Sequence, residues 1–122
     1  MTLNDNLYKI ISSDTSERSF RLELIPDCTI YKAHFPSKPV TPGVCVIQIA
    51  SELLSLLMNK ELALTTVSNA KFLSVINPLE TKNITCTFRK ISEGSDNSIN
   101  VSATITEKDT VFSKLSLIYR HK

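Results

Sequence analysis

Four of the five prolines in this 122-residue chain, Pro26, Pro36, Pro39 and Pro42, fall within one short stretch, and no other feature constrains the fold as strongly. Proline fixes φ and has no N–H to give to a helix or a sheet ladder, so Pro26 to Pro42 is expected as a long, stiff loop without regular helix. Stiff loops of this length inside small domains commonly carry function.

On either side of the loop the hydrophobic period changes. Asn6 to Ser13 and Ser19 to Ile25 carry β-favouring residues, with Phe20, Leu22 and Leu24 alternating against Arg21 and Glu23, and read as two strands joined through Asp14 to Arg18. From Gly43 to about Asn59 the alternation is lost. At about 100° per residue, Gln48, Ser51, Glu52, Ser55 and Asn59 form one narrow polar stripe, and Val44, Val46, Ile47, Ile49, Leu53, Leu54, Leu56 and Leu57 occupy the remaining circumference. Such a helix is expected to be wrapped by other structure. Four more β-like runs follow near Thr65 to Val75, Thr81 to Ser92, Ser98 to Thr106 and Val111 to Arg120. Asn77-Pro78, Glu93 to Asn97 and Lys108-Asp109 mark the turns between them, the last two as antiparallel hairpins. The order predicts an α+β domain in which an antiparallel sheet of about six strands curls around one central helix. One helix cannot cover both faces of that sheet, so the outer face is expected to meet solvent or a second subunit.

Composition narrows the function classes. With 42% hydrophobic residues the chain can build one core, and a single domain over residues 1–122 is expected. Fourteen Lys and Arg against twelve Asp and Glu leave a net charge of only +2, too little for the basic field that holds a nucleic-acid backbone. Cys28, Cys45 and Cys86 form no CxxC pair and have no histidine cluster beside them, so neither a metal site nor a disulfide framework is expected. Val44 to Met58 is interrupted by polar residues and falls short of the roughly 20 apolar residues of a membrane span. Met1 to Asn6 is polar and lacks the basic flank and apolar centre of a signal peptide, which points to a cytoplasmic protein.

The chemistry concentrates in His34-Phe35-Pro36-Ser37-Lys38-Pro39-Val40-Thr41-Pro42-Gly43-Val44. This segment places a histidine on a proline-stiffened loop and a glycine at the start of a buried helix. Free amides and the positive dipole end at a helix N-terminus suit the Gly43 and Val44 N–H groups to binding a carbonyl oxygen, and glycine admits a ligand close to the backbone. Histidine as a residue type titrates near neutrality, at about 6.5, and can take a proton in one step and return it in another. His34 beside a polarised carbonyl therefore suits proton abstraction at the adjacent carbon.

The same residues resemble a known family, the hotdog-fold β-hydroxyacyl-(acyl carrier protein) dehydratases. Their signature, His-Phe-Pro-x-x-Pro-x-x-Pro-Gly-Val followed by an apolar helix, matches His34 through Val44 at every fixed position. Asn69-Ala70-Lys71-Phe72 followed by Asn77-Pro78 resembles a later family strand, with Leu79 and Glu80 in place of the usual Gly-Asp. The resemblance implies the hotdog fold, a homodimer or higher assembly of dimers with active sites at the subunit interface, and an acyl substrate linked to acyl carrier protein or coenzyme A. It implies no cofactor and no metal. It also implies a place in fatty acid or related lipid and polyene synthesis. His34 matches the catalytic histidine, and Gly43, with Val44 beside it, matches the donor to the thioester carbonyl.

The family's second catalytic group, a Glu or Asp on the central helix, falls on Gln48 here. An amide cannot give up a proton at ordinary pH, although it can donate a hydrogen bond or position a water. Glu52, one turn further along the polar stripe and about 6 Å away along the axis, is an alternative acid. Lys32 and Lys38 suit the acidic surface of a carrier protein. Three readings compete: β-hydroxyacyl dehydration, acyl-thioester hydrolysis, and a non-catalytic acyl-binding or partner subunit that has lost the acid.

Overall fold

Strands and helices follow one another as β1 (Tyr8–Asp14), β2 (Ser19–Leu24), α1 (Thr29–Ala33), α2 (Gly43–Met58), β3 (Leu62–Phe72), β4 (Asn83–Glu93), β5 (Ser98–Glu107) and β6 (Thr110–His121), in a computed structural model that describes residues 2–122. Met1, where the expected single domain begins, lies outside the described residues. The strands form one antiparallel sheet in the order β1-β2-β4-β5-β6-β3, with both expected C-terminal hairpins in place. This is the expected α+β arrangement, a six-stranded sheet against one long helix.

Period-two alternation builds the inner face. Antiparallel partners point to the same side of a sheet, so the register lines up cross-strand rows such as Phe20–Cys86–Ile105–Ser113–Phe72 and Phe88–Ala103–Leu115–Ala70. Against these rows lie Cys45, Val46, Ile49, Ala50, Leu53 and Leu54 of α2, all buried. The helix ends at Asn59, which adopts a left-handed φ of 54° while its N–H bonds the Leu56 carbonyl. The strands themselves lie within a few residues of their expected limits; β3 is displaced most, starting at Leu62 and ending at Phe72 instead of Val75.

Two expectations are corrected. The proline-rich segment holds a short helix, α1, because its first two prolines leave residues 27–35 free to coil, and the helix stops ahead of Pro36. The central helix is also not wrapped within one chain: Val44 is 75% exposed and Leu56 54% exposed, since a single sheet covers only one side of it.

Candidate active site

The loop that carries His34 is fixed at several points. Tyr31 of α1 is buried, and its hydroxyl donates to Thr41 Oγ1 at 2.8 Å while that oxygen donates onward to the Ile76 carbonyl at 3.1 Å. The Thr41 N–H reaches the same carbonyl at 2.9 Å, so α1, the loop end and the segment after β3 are tied together just before α2 begins. Burial pushes the Tyr31 hydroxyl up to about 12, which keeps it a neutral donor. Between these anchors the Val40 N–H closes the loop on the His34 carbonyl at 2.7 Å.

His34 caps the C-terminus of α1, with its ring exposed. Its Nδ1 lies 3.2 Å from the Ile30 carbonyl oxygen. A carbonyl can only accept, so in the neutral ring Nδ1 carries the hydrogen and Nε2 is left with a free lone pair, the form a general base needs.

The N-terminus of α2 is open. Pro42 is its N-cap and gives no side-chain bond, and its carbonyl accepts from Cys45 and Val46 at 2.9 and 3.1 Å. The Gly43 and Val44 amides precede those bonds and face outward from the first turn. A methyl group on Gly43 would stand 2.9 Å from Cζ of Phe72, so only glycine leaves the ring and the helix end in contact. Val40, Gly43, Val46, Phe72, Val75 and Ser113 are among the residues lining a cleft of about 370 Å³ at this end of the helix.

The polar stripe of α2 leads elsewhere. Gln48 and Glu52 line a separate groove of about 540 Å³ with Thr2, Asn4, Leu56 and Leu64. Glu52 anchors the start of the chain: its oxygens accept from the N–H groups of Leu3 at 2.7 Å and Asn4 at 2.9 Å, and from the Tyr8 hydroxyl at 2.9 Å. Gln48 Nε2 donates to the same carboxylate at 2.9 Å. Gln48 therefore turns its NH₂ toward Glu52 and has its carbonyl oxygen left to receive a donor.

Within one chain, Gly43 shares a cleft with Phe72 and Ser113, while Gln48 and Glu52 share the other groove, and His34 lines neither. Cys45 belongs to the core, where burial pushes its thiol up and disfavours a nucleophilic thiolate. Lys32 and Lys38 are exposed. Among the described residues no group of three or more His, Cys, Asp or Glu is placed to hold a metal ion, and no helix is long and apolar enough to cross a membrane. Sequence reasoning passed over Tyr31, Thr41 and Ser113. The signal for Ser113 was present, a serine in an inward position of the β6 alternation that includes Leu115, Leu117 and Tyr119.

Fold and helix terminus together define a hotdog domain with the signature loop of the dehydratases. A family model described as ApeI-like, ApeI dehydratase, matches residues 11–114. The chain belongs to this ApeI-like dehydratase family. It is 36% identical over 62 residues to the 3-hydroxyacyl-[acyl-carrier-protein] dehydratase FabZ of Rickettsia rickettsii (strain Sheila Smith), a match covering 44% of this chain and 43% of the relative. The chain thus spans less than half the length of the curated relatives it matches. Among solved structures it is similar to the dehydratase heterocomplex ApeI:P from Xenorhabdus doucetiae, with a TM-score of 0.65 and 16% identity over 93% of this chain and 98% of that one. It is also similar to the HP0420 homologue from Helicobacter felis, with a TM-score of 0.69 and 15% identity over 98% of this chain and 93% of that one. At such identities these two likenesses speak for the fold alone.

Proposed function

We propose that this chain acts on β-hydroxyacyl thioesters, linked to acyl carrier protein or coenzyme A, and removes water across the α and β carbons. The observation that carries the reading is the His34–Val44 segment, with an exposed histidine whose Nε2 is free and an uncapped helix start at Gly43. In this reading the Gly43 and Val44 amides bind the thioester carbonyl and take up the charge that develops on it. His34 Nε2 removes the α-proton, the electron pair forms the α,β double bond, and the β-hydroxyl departs. The departing oxygen must gain the proton His34 has taken. Gln48, unable to supply one, holds that hydroxyl or a water through which the imidazolium returns it.

A second subunit belongs to this reading. Gln48 lines the groove of about 540 Å³ but not the cleft at Gly43, and His34 lines neither; the apolar Val44 and Leu56 stand open, and β3 is an edge strand with Leu64 and Val67 exposed. A homodimer, or a larger assembly of dimers, would cover these surfaces and bring a second Gln48 toward each His34. The single domain over residues 1–122 is the unit proposed to pair in this way.

One observation favours another reading, a partner subunit that binds acyl chains without turnover: the family's acid position holds an amide, and the adjacent carboxylate of Glu52 is engaged by the start of the chain. The structurally similar dehydratase was itself solved as a heterocomplex. Mass spectrometry of β-hydroxyacyl carrier proteins incubated with wild type and His34→Ala separates the two. Water loss by the wild type that falls by at least about 100-fold in His34→Ala supports dehydration. Equal rates in the two proteins remove the site assignment, and no turnover by the wild type moves the chain to the binding role.

A further inference from the structure

Among the polar side chains lining the cleft at the start of α2, Thr41, Ser74 and Ser113, the last is buried without a partner. Ser113 is 1% exposed, and its Oγ has no hydrogen-bond partner among the described residues. It lies in β6 between Ile105 of β5 and Phe72 of β3, the neighbours on its own face, and neither side chain can accept or donate. A buried hydroxyl without a partner forfeits its hydration and gains nothing in return, so a native structure that keeps one invites a functional account. The same residue lines the cleft with Gly43, whose amide belongs to the open end of a helix 16 residues long. Two unrelated features, an uncapped helix start and an unpartnered hydroxyl, thus meet at one cavity, whose volume of about 370 Å³ is within the range of small-molecule sites.

We infer that Ser113 is a ligand-binding residue, its hydroxyl donating a hydrogen bond to the thioester carbonyl of an acyl chain seated at the N-terminus of α2. The inference rests on the thioester reading and adds to it a side-chain donor from β6, opposite the backbone donors of Gly43 and Val44. The geometry also supplies the way in. Phe72 is 50% exposed and its ring lies against Gly43, so it is the part of the wall that can yield to an incoming carbonyl, whereas Ile105 on the other side is fully buried. A carbonyl oxygen carries two lone pairs and can accept from a main-chain amide and a hydroxyl together.

The test uses octanoyl-pantetheine, isotope-labelled at the thioester carbonyl, titrated into wild type, Ser113→Ala and Ser113→Thr, with the carbonyl stretch of the bound probe read by difference infrared spectroscopy. Ser113→Ala is expected to weaken binding by about 3- to 10-fold, the worth of one neutral hydrogen bond, and to raise the stretching frequency of the bound carbonyl. Ser113→Thr, which keeps the hydroxyl, restores both. The melting temperature of the alanine variant should not fall, because no protein hydrogen bond is lost. Ser113→Cys, close in volume and a weak donor, carries the test should the alanine variant fail to fold. Unchanged affinity and unchanged frequency in these variants, with the wild type binding, overturn the role of Ser113 alone. Absence of saturable binding by the wild type overturns the thioester reading and this inference with it.

Discussion

In the proposed reaction Gln48 stands where the family's acid would be. Its NH₂ is 2.9 Å from the Glu52 carboxylate, whose oxygens also receive the Leu3 and Asn4 amides and the Tyr8 hydroxyl. In Gln48→Glu the introduced carboxyl would face a carboxylate already held by donors, and two carboxyls at one site resist losing both protons. The introduced group therefore keeps its proton to higher pH, the state a general acid needs. Water loss by Gln48→Glu is expected to exceed that of the wild type by about 10²-fold or more, measured on the same carrier-protein substrate. An unchanged rate would show that the acid is not what limits the site. The identity of residue 48 was legible in the sequence, because the spacing from His34 along the signature leads directly to it. Its bond to Glu52 follows from their four-residue separation on one helix face. The grip of Glu52 on Leu3 and Asn4 was not legible, since it joins positions nearly fifty residues apart through main-chain donors that have no sequence signature.

At the scale of the element, the first turn of α2 is where the fold and the proposed chemistry use the same atoms. Pro42 begins the helix without a capping side chain, which leaves the amides of the next residues free. Gly43 lets the Phe72 ring close on the backbone. In Gly43→Ala the added methyl meets the far end of a half-exposed ring that can turn aside, while alanine favours the helix by up to about 1 kcal/mol over glycine. Stability in urea is expected to stay within about 1 kcal/mol of wild type. Activity should fall by at least about 10-fold, because the methyl fills the approach to the donor amides. A variant with wild-type activity would place the carbonyl elsewhere. The helix itself and its end at Asn59 were readable from periodicity. The short helix α1 was not: proline count argued for loop throughout, and what stabilises α1 is the burial of Tyr31 and its hydroxyl chain through Thr41 to Ile76, contacts formed only in the folded chain.

For the molecule as a whole, the core carries its polar groups in neutral form. Burial pushes Tyr31 and Tyr119 up to about 12 each, and it raises Tyr8 as well. Tyrosine in an unfolded chain ionises near pH 10, so below about pH 10 both states are protonated and this contribution to stability is whole. Between about pH 10 and pH 12 only the unfolded chain loses these protons, and stability drains away as pH rises through that window. The urea midpoint at about pH 11 is expected to lie clearly below that at about pH 9, with tyrosinate absorbance appearing together with unfolding; equal midpoints would contradict the assignment. The sheet order was only partly foreseeable, because hairpin turns predict β4-β5-β6 but no local signal states that β3 returns to the far edge beside β6. For the same reason a site shared between subunits could be expected only from resemblance; in the folded chain Val44, Leu56, Leu64 and Val67 are exposed. The most direct test of the chemistry needs no proton donor at residue 48. If His34 is the base and the start of α2 the carbonyl site, the protein should exchange the α-protons of a saturated acyl thioester with deuterium oxide, as followed by nuclear magnetic resonance. Exchange that the wild type accelerates and His34→Ala abolishes is expected; exchange no faster than in buffer alone, with the thioester shown to be bound, rules out His34 as the base at this site.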